Sequence, residues 1–228
     1  FFQLMGNLFG QFAAHPESQA LMVNALSALS SSFSILFLFW TITALGVKLL
    51  GGQDKLDNAG TIAVLGAGAV GALAYTFSDS FWFSAVEGEV YAMSSFFTAA
   101  AFWAVLKWEQ AVDHDPYANK WLLLIAYLVG LSVGVHILVF LTIPAIGMIY
   151  YFKKYPNPTR SGFIIANGAS IAVLGLVFAF IIPIVLKLFS TLEINFVNNF
   201  GLPFHSGTIA AFLILTAAIV FGILWTQK

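Results

Sequence analysis

Trp121–Phe152 reads WLLLIAYLVGLSVGVHILVFLTIPAIGMIYYF, 32 residues without an Asp, Glu, Lys or Arg. How this stretch divides decides the fold. As one helix it would run about 48 Å at 1.5 Å per residue, against a bilayer core of about 30 Å. Divided at His136, it gives two short spans, Trp121–Val135 and Ile137–Phe152, each tilted or tucked among neighbours. The alternative is one span with a buried histidine at its middle.

The rest of the chain sets the context. Hydrophobic residues make up 60% of the 228, charged residues 8%, and mean hydropathy is +0.92. A soluble domain carries roughly 25% charge, so this is an integral membrane protein. A formal net charge of -1 and no basic run argue against a nucleic-acid partner. No cysteine is present, which excludes disulfides, thiol catalysis and thiolate metal sites. The chain opens at Phe1 with no charged segment before an apolar core, so no signal peptide is visible. Its abrupt ends lead us to expect a piece of a longer protein.

Five further apolar runs read as spans: Ala20–Val47, Thr61–Phe77, Tyr91–Leu106, Gly162–Leu186 and Thr208–Trp225. Phe1–Ala14 is shorter and places Gln3, Asn7 and Gln11 at intervals of four, a polar stripe that suits a helix lying in the interface. Lys187–Gly207, rich in Asn and holding Pro203, reads as a long connection. The expected fold is all-α: one polytopic transmembrane bundle over residues 1–228, about seven spans plus the interfacial helix.

Threading seven spans alternately sorts the cations. Lys48, Lys55, Lys107, Lys120, Lys153, Lys154, Arg160 and Lys228 fall on one side, and Lys187 alone on the other. Excess Lys and Arg in short loops marks the cytoplasmic face. An undivided Trp121–Phe152 would send Lys153, Lys154 and Arg160 to the wrong side, which favours the turn at His136. The opposite face then holds His15, Glu17, Asp79, Glu87, Glu89, His136, Glu193 and His205.

Asp79, Glu87 and Glu89 stand within Phe77–Met93, FSDSFWFSAVEGEVYAM. Carboxylates leading into an apolar run are expensive to desolvate and mark a functional site. Such a face suits a divalent ion, with Glu87 and Glu89 as ligands, or acid–base chemistry. Glu17, Glu193 and His205 read as solvated loop residues. His136 either belongs to the site or caps the turn through a hydrogen bond. Gly66–Gly71 matches the spacing G-x-G-x-x-G, but the run continues apolar to Phe77, where a dinucleotide fold needs a βαβ unit. Small residues at helix contacts explain these glycines better.

Phe77–Met93, with Asn24-Ala25-Leu26-Ser27-Ala28-Leu29 before it and Gly130-Leu131-Ser132-Val133-Gly134-Val135-His136 after it, resembles the bacterial membrane family grouped as domain of unknown function 2723. That family is related to the protein O-mannosyltransferases of the GT-C type. Glu89-Val90-Tyr91-Ala92, with Trp82 shortly before, is the most specific piece. The resemblance implies a polytopic glycosyltransferase of the bacterial inner membrane. It would take a mannose-like sugar from a polyprenyl-phosphate carrier and pass it to a protein hydroxyl on the periplasmic face. Membrane lipid, the lipid-linked sugar and an acceptor protein would be its partners. Substrate binding would fall to Asn24, Asp79, Trp82, Glu87, Glu89, Tyr91 and His136. The catalytic acid of such enzymes lies in the first external loop, which here would precede Phe1, so this chain alone is expected to be inactive. The competing reading is a small-solute or ion transporter with Asp79, Glu87 and Glu89 at its mouth; little polar material at mid-depth argues against it.

Overall fold

A computed structural model of the chain describes residues 1–226. Among these residues every regular element is helical. Five continuous helical runs are long and apolar enough to cross a membrane: Pro16–Leu49, Asn58–Thr76, Val90–Ala111, Ile137–Lys154 and Arg160–Asn199. The apolar helix Lys120–Ser132 falls short of that length. The chain forms two compact units, Phe1–Ser170 and Ile171–Lys228.

In the first unit, α1 (Phe2–Gly10) is nine residues, about 13 Å, too short to cross. Its polar stripe is exposed, and its buried glycines Gly6 and Gly10 lie against Val23 and Gln19 at the start of α2 (Gln19–Leu49). The buried hydroxyls of α2, at Ser27, Ser30, Ser31, Ser34 and Thr41, let neighbouring backbones come close. Antiparallel α3 (Asn58–Thr76) begins at Asp57, whose carboxylate caps the Gly60 amide at 2.7 Å. It packs on α2 through glycines: a methyl on Gly68 would stand 2.7 Å from Thr43 and 3.0 Å from Phe39. The G-x-G-x-x-G spacing is thus a helix–helix contact.

Short helix α4 (Asp79–Val86) occupies part of Phe77–Met93, and an extended Glu87-Gly88-Glu89 link joins it to α5 (Val90–Ala111). The α5 helix is half buried and forms the centre of the unit. Fully buried Trp108 stacks on Tyr150 at 5.2 Å, beside Ala104, Val105, Ala118 and Ile125. The α6 helix (Lys120–Ser132) runs back, the chain turns at Val133–His136, a 3-10 turn follows at Ile137–Leu141, and α7 (Thr142–Lys154) returns alongside α5. The charge-free stretch is thus two helical pieces, with His136 at the join.

The C-terminal ends of α2, α5 and α7 meet the start of α6. Lys48 pairs with Glu109, Lys153 with Asp113 at 2.5 Å, and Lys120 with Asp115 at 2.7 Å. The ammonium of Lys153 holds the Asp113 carboxyl below its ordinary range, and Lys120 with the Tyr117 amide does the same for Asp115. Three of the cations assigned to one side from the sequence, Lys48, Lys120 and Lys153, therefore gather at one end; Lys228 lies outside the described residues.

The helix α8 (Arg160–Leu176) leads through a π-helical turn at Val177–Ile181 into α9 (Ile182–Ile194), extended by a second π-helical turn to Asn199. This overturns the expected connection over Lys187–Gly207, because the residues up to Asn199 are helical. The widened turn at Val177–Ile181 stands just before Pro183, which has no amide to donate and crowds the preceding turn. The asparagines that suggest a loop bond backwards along the helix instead: Asn195 donates to the Thr191 carbonyl at 2.7 Å and Asn199 to Asn195 Oδ1 at 2.7 Å. In the second unit, α9 and α10 (Ser206–Thr226) form a hairpin closed by the Phe189–Phe212 ring contact at 5.0 Å.

Candidate functional site

The opposite end of the first unit assembles most of the residues singled out from the sequence. Glu89 stands at the N-cap of α5 and His136 at the N-cap of the 3-10 turn. Two residues into the chain from Glu89, Tyr91 packs its ring against His136 at 5.5 Å between centroids. The start of α2 closes in from another side: a Cβ on Gly88 would stand 3.0 Å from Asn24 Oδ1 and 3.0 Å from Val23. A side chain between the two glutamates would therefore press on both Asn24 and Val23. Asn24, Gly88, Glu89, Tyr91 and His136 thus share one end of the bundle.

His136 does cap its turn, since Nδ1 accepts from the Leu138 amide at 3.2 Å. In the neutral ring this bond leaves the proton on Nε2, so the second nitrogen stays free to donate. Phe1 reaches the same turn, its backbone nitrogen donating to the Gly134 carbonyl at 2.9 Å.

Asp79, Glu87 and Glu89 are exposed, and their carboxylates make no hydrogen bond or ion pair among the described residues. The structure places Asp79 in the first turn of α4, with Phe77, Trp82 and Phe83 around a small recess. Trp82 is half exposed and stacks on Phe77 at 6.2 Å with planes 15° apart. Asp79 and Trp82 share this recess with Phe77. Among the described residues no three His, Asp or Glu side chains converge as metal ligands.

A groove that residue-by-residue reading missed opens beside Tyr91. It holds about 780 Å³ between α2, α3, α5 and the start of α7. Leu38, Ile42, Phe102, Leu138 and Leu141 make it largely apolar, while Tyr75, Tyr91, Ser94, Ser95, Thr98 and Thr142 add hydroxyls. The signal was present: Ser94, Ser95 and Thr98 fall on one face of α5 at helical spacing, but hydroxyls in a membrane helix read first as packing.

Residues 1–159 match the family model described as protein O-mannosyl-transferase TMEM260 N-terminal domain. The chain belongs to this family. No curated protein and no solved structure matches the chain. The TMEM260 match bears out the relation to protein O-mannosyltransferases expected from the sequence. It covers α1 to the end of α7, and with them every residue singled out for the site, from Asn24 to His136. The hairpin of α9 and α10 lies beyond it.

Proposed function

We propose that the chain is the membrane core of a glycosyltransferase that passes a mannose-like sugar from a polyprenyl-phosphate carrier to a protein hydroxyl. One observation carries the reading most: Tyr91 lines the apolar groove and at the same time touches His136, beside Glu89. A carrier has an apolar tail and an anionic head, and this arrangement offers a place for each. The groove takes the tail. The Nε2–H of His136 donates to the departing lipid phosphate, where negative charge grows as the sugar leaves. Glu87 and Glu89 orient the acceptor hydroxyl for the base that removes its proton. Trp82 and Phe77 present a flat face on which a sugar ring can stack.

A divalent ion at Glu87 and Glu89 belongs to the proposal only together with phosphate oxygens of the donor, because magnesium sites often use one or two carboxylates plus substrate phosphate. No step here depends on it. The excess of cations at the far end supports a periplasmic placement of the site in a bacterial inner membrane.

The test is transfer of labelled mannose from its polyprenyl-phosphate carrier to an acceptor peptide by the full-length protein in proteoliposomes. Glu89→Gln should abolish transfer while the protein keeps its thermal midpoint. Unchanged transfer in that variant would remove Glu89 from the site, and no carrier binding by the unaltered protein would end the glycosyltransferase reading.

A further inference from the structure

The end of the first unit that carries the ion pairs also holds a recess of about 650 Å³. It lies about 30 Å along α5 from Glu89, since 20 residues separate Glu89 from Glu109 at 1.5 Å each. Its inner wall is aromatic. Trp103 packs on Phe37, Trp40 and Trp121 with centroids 5.1 to 5.5 Å apart. Its rim carries Lys48, Lys107 and Lys153 against two acids, Glu109 and Asp113. Both acids are already matched, Glu109 to Lys48 and Asp113 to Lys153.

Lys107 is left over. Its ammonium has no carboxylate partner among the described residues and rests over the Trp103 ring at 5.8 Å. Gln53 and Gln110 also line the recess, and neither side chain makes a hydrogen bond among the described residues. One uncompensated ammonium and two idle amides therefore stand above an aromatic floor, where helices α2, α5 and α7 end. Tryptophans favour that depth in a bilayer, and basic pockets between transmembrane helices take anionic headgroups.

We infer that this recess binds the headgroup of an anionic phospholipid, its phosphate on Lys107 with Gln53 and Gln110, and an acyl chain against Trp40 and Trp103. The inference does not depend on the sugar-transfer reading. It needs only the charge left on the rim and the apolar wall beneath it.

The experiment is native mass spectrometry of the full-length protein in neutral detergent, titrated with dioleoyl phosphatidylglycerol or dioleoyl phosphatidylcholine. The expected result is retention of a single phosphatidylglycerol at concentrations where phosphatidylcholine is lost. Lys107→Gln should weaken it roughly fivefold, the usual effect of one basic residue near an anionic headgroup. Gln110→Glu, at an exposed position, should weaken it by repulsion and carries the same test where Lys107→Gln folds poorly. Lys154→Gln removes a charge from the same end without touching the recess and should change nothing. Equal retention of the two lipids overturns the inference. So does equal weakening by Lys154→Gln, which would mean general surface charge, or displacement of the lipid by millimolar inorganic phosphate, which would mean a phosphate site without a lipid.

Discussion

The rings of Tyr91 and His136 stand 5.5 Å apart with planes tilted by 48°. One begins α5 and the other sits between α6 and α7. Their contact ties the carboxylate-bearing Glu87-Gly88-Glu89 link to the break in the charge-free stretch Trp121–Phe152. Tyr91 also lines the apolar groove, so the ring that touches His136 forms part of the groove wall.

The turn at His136 separates two roles of one side chain. Asn at this position can still accept the Leu138 amide, so His136→Asn should leave the thermal midpoint nearly unchanged. His136→Ala loses the cap and should cost about 1 kcal/mol. Only the imidazole presents Nε2–H, so both variants should lose sugar transfer by the full-length protein. Full transfer by His136→Asn would reduce His136 to a turn cap.

Gly88 offers a steric test of the same end. Its α-carbon sits where a side chain would press on Asn24 and Val23 at 3.0 Å. Gly88→Val should destabilise by about 1–3 kcal/mol, the usual cost of overpacking. Adding Asn24→Ala should recover part of the loss, because it empties the space the valine needs. Additive effects in the double-variant cycle would show that the two positions do not touch.

The glycines of α3 were readable for the right reason, and they make a sharp contrast. Gly68 faces Thr43 and Phe39, while Gly66 has nothing within 4 Å of an added methyl. Gly68→Val should lower the thermal midpoint by an amount corresponding to about 1–3 kcal/mol. Gly66→Ala should be neutral, or stabilise by up to about 1 kcal/mol through helix propensity. A phosphate-cradling loop would give a different pattern, since there the first glycine matters as much as the second.

What the sequence made legible follows from scale. Helices of membrane length announce themselves by composition, and His136 stood out because a cation-capable ring in 32 charge-free residues needs a reason. The groove beside Tyr91 did not, because it is made by four elements, each contributing a few ordinary hydroxyls and methyls. The helix α4 was not legible either: Asp79 opens it, and with Trp82 it borders a recess beside Phe77. The stretch from Lys187 to Asn199 misled because asparagine usually signals a loop, and here its amides serve the helix's own carbonyls.

Asp113 gives a pH signature at the ion-paired end. Its carboxyl is held below the ordinary range chiefly by the hydrogen bond from Lys153. A group depressed in the folded state adds stability above its unfolded value and loses it as pH falls through the folded one. The thermal midpoint of the unaltered protein should therefore exceed that of Asp113→Asn at neutral pH. The gap should close on acidification past the ordinary carboxylate range. A gap independent of pH would mean that packing, not charge, links Asp113 to Lys153.

Glu193 was read from the sequence as a solvated loop acid, and the structure gives it a different task. Its carboxylate accepts from the His205 amide at 2.6 Å, the Thr208 amide at 2.8 Å and the Thr208 hydroxyl at 3.1 Å. Those donors open α10, whose first amides have no partner inside the helix. His205 has φ +72, in the left-handed region that few non-glycine residues occupy. Glu193→Gln keeps the shape but removes the charge that all three donors share, at a cost of about 1.5–3 kcal/mol. Hydrogen exchange should then quicken at the His205 and Thr208 amides, with those of α5 unaffected. Unchanged protection at both amides would mean that the turn is held by its backbone alone.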